Sequence, residues 1–173
     1  MKNYFKIGRL AGTFGIEGLL VLEQNLGKKT SLKGLKTIFV EQNQNSFFPY
    51  FIESSKIKNE KEVFLKLEGI SSKEQARSLL KNDVWLEEID FKKLAAPAAP
   101  ISLLGFTVIN EKEKLGEVIE VIEQPHQLLC KIDFEGQEAL LPVHEQTLER
   151  IDKNKRIIYL KLPEGLLDIY KDL

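Results

Sequence analysis

The stretch IGRLAGTFGIEG at residues 7–18 decides how the first part of the chain folds, because it holds four of the eleven glycines. They are Gly8, Gly12, Gly15 and Gly18. A phosphate-binding P-loop would need a lysine followed by Ser or Thr, and a dinucleotide fingerprint would need G-x-G-x-x-G spacing. The stretch has neither pattern. Strand-forming runs flank it at 4–11 and 19–23, so it predicts a strand, a turn and a second strand.

Further β-like runs follow at 37–41, 50–57, 62–67 and 84–87. Several are bounded by Gly, Asn or Ser, as strands joined by turns are. One helix interrupts the series, since Ser71 and Glu74 have the spacing of a capping box. An apolar stripe follows the box, formed by Ala76, Leu79 and Leu80. The pattern predicts a small β-barrel with one helix near its end.

The uncharged segment LAAPAAP at residues 94–100 divides the chain. Its prolines favour an extended connector over a helix. We therefore predict an N-terminal domain at 1–94, a linker at 95–100 and a C-terminal domain at 101–173.

Beyond the linker, strand-like runs lie at 106–110, 115–123, 128–134, 138–143 and 156–162. In the third run, alternate positions hold Leu128, Cys130, Ile132 and Phe134, which is typical of a half-buried strand. Glu135-Gly136 then predicts a hairpin, and Pro163 can begin a short closing helix. The expected fold class is mainly β: two small β-barrels joined by an Ala/Pro linker, with one helix late in the first barrel and a short C-terminal helix.

Composition places the chain among ordinary globular proteins, with 43% hydrophobic and 29% charged residues. The single cysteine, Cys130, excludes an internal disulfide and fits a reducing compartment. Charged residues interrupt the first twenty positions, which is unlike a signal peptide. No apolar run approaches the ~20 residues of a membrane span. We therefore expect a cytoplasmic protein without membrane contact.

No constellation of catalytic or metal-ligating residues emerges from the sequence. His126 and His144 lie in separate segments without metal-like spacing. On a strand, His144 and Glu145 would point to opposite faces, so they would not form a working pair. Cys130 lies on the apolar side of its predicted strand, which suits a buried thiol. The sequence predicts a binding protein rather than an enzyme, with no metal and no cofactor.

The net charge of −1 conceals a division between the halves of the chain. Residues 1–94 carry sixteen Lys and Arg against twelve Asp and Glu, whereas residues 95–173 carry nine against fourteen. A basic half could face phosphate and an acidic half a basic protein. Two solvated surfaces with a chance imbalance explain the counts equally well. We interpret the two lysine-rich runs as solvated loops: Lys28, Lys29, Lys33 and Lys36 in one, and Lys56, Lys58 and Lys61 in the other.

Several motifs, taken in order, resemble the RimM family of ribosome maturation factors. IGRLAGTFGIEGLLVL at 7–22 is similar to the glycine-spaced opening of the family's N-terminal barrel. LKLEGISSKEQARSLLKNDVWL at 65–86 is similar to its closing segment. In the second half, LLGFTV, LGEVIEV, ALLPV, ERID and LPEGLLDIY follow the order of the family's PRC-barrel domain. The resemblance spans nearly the whole chain.

The resemblance implies a cytoplasmic bacterial factor that assists late assembly of the small ribosomal subunit head and processing of its ribosomal RNA. Members of the family bind the nineteenth small-subunit ribosomal protein, chiefly through the C-terminal region, and act without a cofactor. Immature small subunits, with their rRNA, are further expected partners. The expected state of the protein is a monomer.

Positions that match the family are the candidate site residues, although most of them are structural by default. Those expected to face the ribosome or rRNA, from the first turn, are Arg9, Gly12, Phe14 and Gly15. Those expected to face the ribosomal protein, from the second domain, are Leu104, Gly105, Phe106, Pro142 and Tyr170.

Two departures from the family pattern bear on binding. Thr13-Phe14 stand where the family commonly has Pro-His, and Ala98 and Ala99 stand where it usually has an aromatic pair that resembles a subunit-binding element. Alanine cannot replace the contact area of an aromatic anchor. This member therefore either docks differently, through Phe106 or Tyr170, or binds with reduced affinity. The alternative functions are a generic PRC-barrel adaptor and an RNA-processing enzyme.

Overall fold

The computed structural model describes residues 3–171, and the chain forms two compact units that divide between Ala98 and Ala99. This division lies inside the segment 95–100. Both units are built mainly from β-strands, so the predicted mainly-β class is confirmed.

The first unit contains six strands: β1 (Tyr4–Phe14), β2 (Leu19–Gln24), β3 (Thr37–Asn43), β4 (Ser46–Ile57), β5 (Glu62–Leu67) and β6 (Asp83–Glu87). They close into a barrel in the order β1-β2-β5-β4-β3-β6. All neighbouring strands in it are antiparallel. Closure leaves the sheet without unpaired edges.

Alternate side chains along the strands fill the barrel interior. On β5, Val63, Leu65 and Leu67 are fully buried, whereas Phe64 and Lys66 are only half-buried. Because successive side chains of a strand point to opposite faces, Phe64 lies on the outer face. The barrel core therefore does not account for this aromatic residue.

The helix α1 (Lys73–Ser78) begins one residue later than the sequence pattern predicts. Its cap is Ser72, whose Oγ accepts a hydrogen bond from the Gln75 N–H at 3.2 Å. The Gln75 side chain in turn accepts a hydrogen bond from the Ser71 N–H at 2.8 Å. The predicted pair of Ser71 and Glu74 is therefore wrong by one position, because Gln75 is the residue that reaches back.

A second helix, α2 (Glu88–Leu94), is not predicted by the sequence. It buries only Phe91, whose ring packs against Phe5 with centroids 5.0 Å apart. A helix with one buried residue shows no apolar period, and this one also has no side-chain cap. Its presence corrects the expectation of a single helix in the first unit.

The second unit is a six-stranded sheet. Its strands are β7 (Thr107–Asn110), β8 (Glu113–Gln124), β9 (Gln127–Phe134), β10 (Gln137–Val143), β11 (Leu148–Asp152) and β12 (Ile157–Leu160). They neighbour one another in the order β10-β9-β8-β7-β12-β11, with β7 and β12 parallel. The sequence does not predict β11, because its residues are exposed or half-buried and three of the five are charged.

The hairpin at Glu135-Gly136 forms as predicted. Both residues have a positive φ, +54° and +85°, which is the geometry of a two-residue type I′ turn. The C-terminal helix is a single 3-10 turn at Asp168–Tyr170, rather than a helix that starts at Pro163. Another 3-10 turn, at Pro100–Leu103, precedes β7.

Cys130 lies fully buried on β9, and burial raises the pKa of its thiol from 9.0 to about 12. The folded protein therefore keeps this proton at a pH where the unfolded chain has lost it, and stability falls as the pH rises above 9. We expect the unfolding free energy of the wild type to fall by about 1 kcal/mol more than that of Cys130→Val between pH 8 and pH 10. Urea unfolding followed by circular dichroism measures this, and equal losses in the two proteins would contradict it.

Candidate functional site

The turn between β1 and β2 presents an apolar surface. Phe14 is 60% exposed and Ile16 is 79% exposed. The Phe14 ring packs on the half-buried Phe64 of β5, with ring centroids 5.2 Å apart. Contiguous exposed apolar side chains mark binding surfaces. The Phe14–Phe64 pair is therefore the leading candidate contact of the first unit.

Backbone contacts hold this turn in place. The Lys73 N–H donates to the Ile16 carbonyl at 3.1 Å, and the Lys66 ammonium donates to the carbonyls of Glu17 and Ile70. A Cβ at Gly18 would lie 2.7 Å from the Ile70 carbonyl oxygen. The glycine thus permits the segment before α1 to approach closely, and the apolar tip is presented on a fixed support.

The two predicted glycines of this turn serve different purposes. Gly15 has a φ of +67°, which a glycine adopts without strain. Gly12 has no atom within 4 Å of the position that a Cβ would occupy, so the fold does not require a glycine there. In the strand pairing Gly12 lies opposite Val21, which lies opposite Phe64. The space that a side chain at Gly12 would occupy is therefore empty.

Arg9 lies on the other side of β1 from the aromatic pair. Its Nε donates to an Asp83 carboxylate oxygen on β6 at 3.2 Å, and Lys6 Nζ reaches the same carboxylate at 2.9 Å. Because β6 and β2 flank β1 on opposite edges, the structure directs Arg9 away from the Phe14–Phe64 pair. Its guanidinium remains exposed, and its part in binding stays a prediction.

The predicted Leu104, Gly105 and Phe106 form a buried turn before β7. Leu104 is 2% exposed, Phe106 is 5% exposed, and Gly105 has a φ of +75°. Arg156 holds this turn, since its Nη2 donates to the Leu104 carbonyl at 2.9 Å and its guanidinium lies 4.9 Å from the centre of the Phe106 ring. The burial of Leu104 and Phe106 does not fit a role as partner-facing side chains. They stabilise the second unit from within.

Pro142 and Tyr170 protect the edge strand β10. The Tyr170 hydroxyl accepts a hydrogen bond from the Leu140 N–H and donates to the Leu140 carbonyl, at 3.2 Å each. Pro142 has no N–H to leave unpaired, and its carbonyl accepts a hydrogen bond from Thr147 Oγ1 at 2.7 Å. Unpaired sheet edges recruit other strands, so both predicted residues have a structural role. Whether they also contact a partner stays a prediction.

Residues 3–171 contain neither a metal-binding cluster nor a membrane-spanning helix. In that part of the chain no three His, Cys, Asp or Glu side chains lie where they could hold a metal ion. None of its helices is long and apolar enough to cross a membrane. The Nδ1 of His144 accepts a hydrogen bond from the Gln146 N–H at 3.1 Å, within a local turn.

The two lysine-rich runs meet at one end of the first barrel, which the sequence does not reveal. Gln24, 3% exposed, donates to the Lys28 carbonyl at 3.0 Å and to the Glu60 carbonyl at 3.2 Å. Lys29 and Glu60 form an ion pair of 3.7 Å. The lysines are visible in the sequence, but their proximity comes from contacts between distant parts of the chain, among them the bridge formed by the buried Gln24 amide.

Comparisons with known proteins place both units. Residues 5–91 match the RimM N-terminal domain, and residues 100–166 match the RimM PRC barrel domain. A ribosome maturation factor RimM from Parabacteroides distasonis is 31% identical over 172 residues, which cover 97% of this chain and 98% of that protein. One from Christiangramia forsetii is 25% identical over 168 residues, covering 96% and 95%. The solution structure of the N-terminal domain of RimM from Thermus thermophilus covers 51% of this chain and 93% of that one, with 20% identity and a TM-score of 0.41.

Proposed function

We propose that this chain, which belongs to the RimM family, acts as a ribosome maturation factor that assists late assembly of the small-subunit head and processing of its rRNA. The observation that carries the proposal is the match to both RimM domains in one chain, in order. Relatives named ribosome maturation factor that align over nearly the whole chain support it. The protein would work in the cytoplasm as a monomer.

The proposed mechanism is binding without covalent chemistry. A factor that binds one conformation of an RNA–protein particle better than its alternatives shifts the population toward that conformation. Burial raises the pKa of the Cys130 thiol, so this residue supplies no thiolate nucleophile for catalysis. This reading is favoured over an RNA-processing enzyme, which would need paired acids or a metal site.

The charge division suggests a partner for each unit. The acidic second half suits a basic protein, and we propose the nineteenth small-subunit ribosomal protein. The basic first half suits the rRNA of immature small subunits. A generic PRC-barrel adaptor is disfavoured, because residues 5–91 match the RimM N-terminal domain, which such an adaptor would not need.

Ala98 and Ala99 bear on the strength of binding. Ala98 is exposed, and Ala99 directly precedes the 3-10 turn Pro100–Leu103. Two methyl groups offer little contact area compared with the aromatic pair usual in the family. We propose that the Phe14–Phe64 pair, in which Phe14 is exposed, compensates for part of this loss.

Co-sedimentation with immature and mature small subunits, at low and high salt, tests the proposal. We expect preferential binding to immature particles that weakens with salt. Phe14→Ala is expected to weaken this binding about tenfold, because exposed aromatic anchors dominate interfaces, while lowering unfolding free energy by only about 1 kcal/mol.

The matched control for Phe14→Ala is Ile89→Ala, which removes a similarly exposed side chain from α2. It should bind as the wild type does. Absence of the wild type from both kinds of particle would contradict the proposed function, and restoring aromatics at Ala98 and Ala99 would then show whether these positions are responsible. Unchanged binding by Phe14→Ala would show that this turn does not contact the subunit.

A further inference from the structure

We propose that one end of the first barrel, formed by residues 25–36 and 56–62 and here called the basic end, binds the phosphate backbone of single-stranded RNA. This inference rests on the proposed function, since it names the surface through which the first unit would contact rRNA. Four features of the structure support it.

The basic end concentrates the positive charge of the first unit. It carries seven lysines against two glutamates, whereas the other residues of 1–94 carry nine basic side chains against ten acidic ones. The net surplus of the first half therefore resides entirely in these two segments. A local field of one sign attracts a polyanion far more strongly than the same charges spread over the surface.

Hydrogen bonds hold both segments in place. The Gln24 amide bridges them through the carbonyls of Lys28 and Glu60. The first segment is also held against β4, since Ser55 Oγ donates to the Ser31 carbonyl at 2.5 Å and the Ile52 N–H donates to the Lys36 carbonyl at 2.9 Å. The leucine side chains of the first segment are buried: Leu26, Leu32 and Leu35. A preformed backbone lowers the ordering cost of binding.

Most lysines of the basic end have no carboxylate partner in the protein. Lys29 pairs with Glu60, and Lys58 pairs with Glu62 at 2.6 Å. Among residues 3–171, no carboxylate lies within ion-pair distance of the other lysines, all of them exposed: Lys28, Lys33, Lys36, Lys56 and Lys61. Their charges are available to phosphates.

The Phe14–Phe64 pair adjoins the basic end. Lys56 lies opposite Phe64 in the pairing of β4 with β5, and the Lys58 ammonium is 6.0 Å from the centre of the Phe64 ring. Proteins that bind single-stranded nucleic acid combine cationic side chains for phosphates with aromatic faces for bases. This combination favours RNA over an acidic protein or an anionic membrane surface, because neither of these has bases that could stack on the aromatic rings.

The test measures binding of the full-length chain to a fluorescein-labelled oligouridylate by anisotropy at several salt concentrations. The variant K28Q/K33Q/K36Q should bind at least tenfold more weakly at ~0.1 M salt, and the slope of log Kd against log salt should fall by about 2, since each contact on a single strand contributes ~0.7. The control R77Q/K81Q/K93Q removes the same charge from exposed positions elsewhere in the first unit. It should change Kd by less than about threefold. Tryptophan fluorescence confirms that both variants are folded.

Equal weakening by the two triple variants would overturn the proposal, because general charge would then explain binding. So would a wild type that ignores the RNA but binds phosphatidylglycerol vesicles through the same lysines. If the basic-end variant binds RNA normally while the wild type still sediments with immature subunits, this inference fails and the proposed function stands. If the wild type binds RNA through these lysines but does not sediment with either kind of subunit, this inference stands and the proposed function fails.

Discussion

Replacing Gly8 by alanine is expected to lower the unfolding free energy of the first barrel by about 3 kcal/mol. A Cβ at this position would lie 1.9 Å from the Glu23 carbonyl oxygen and 2.9 Å from its carbon. These are backbone atoms of β2, the strand paired with β1, so no side-chain rotation can make room. The two strands would have to separate, and β1 is also paired with β6 on its other edge. The barrel would lose hydrogen bonds together with packing.

Urea unfolding followed by tryptophan fluorescence measures this loss. The chain has one tryptophan, Trp85, and it lies on β6, so its emission reports on the first barrel. Gly12→Ala is the matched control on the same strand, because no atom lies within 4 Å of its Cβ position. It should change the unfolding free energy by less than about 0.5 kcal/mol. If both variants were equally stable, the close approach of β2 to Gly8 would be refuted.

Replacing Gln24 by leucine should lower the unfolding free energy by about 3 kcal/mol. It should also weaken RNA binding. The Gln24 Oε1 accepts a hydrogen bond from the buried Leu26 N–H at 2.7 Å, and its Nε2 donates to the carbonyls of Lys28 and Glu60. Leucine keeps the volume but leaves all three backbone groups without their partner. A buried group left unsatisfied costs about 1–3 kcal/mol. Both segments of the basic end lose their common anchor.

The same fluorescence assay, combined with RNA anisotropy, tests this variant. Gln42→Leu is the control, because its amide is exposed and bonds only the Tyr50 hydroxyl, at 2.6 Å. It should be nearly as stable as the wild type and bind RNA equally well. A Gln24→Leu variant with unchanged stability would show that the amide does not join the two segments in solution.

Much of the architecture follows from the sequence. The resemblance to the RimM family, inferred from motifs such as IGRLAGTFGIEGLLVL, is confirmed by the match to both of its domains. Alternating residues such as Cys130, Ile132 and Phe134 identified a half-buried strand, since strand periodicity is a local property of the chain. Local signals failed where they are weak: α2 buries one residue, and β11 has no buried face.

The candidate site was less accessible to sequence reasoning. Phe14 was a candidate contact of the first turn, whereas Phe64, on which its ring packs, was not among the candidate residues. Leu104 and Phe106 matched the family pattern, yet Arg156 and their burial assign them to the core. A match to a family motif shows that a residue has a role. It does not show whether the residue packs in the core or contacts a partner.

The sequence by itself therefore determined most of the strands, the two-unit organisation and the family, because periodicity, turn residues and motif order are local properties of the chain. Only the tertiary structure brought Lys28 and Glu60 to the same amide, placed Phe14 on Phe64 and set the Tyr170 hydroxyl against Leu140. Each of these contacts joins residues far apart in the chain. Which of them meet depends on the order and register in which the strands pair, and these arise only when the sheets assemble.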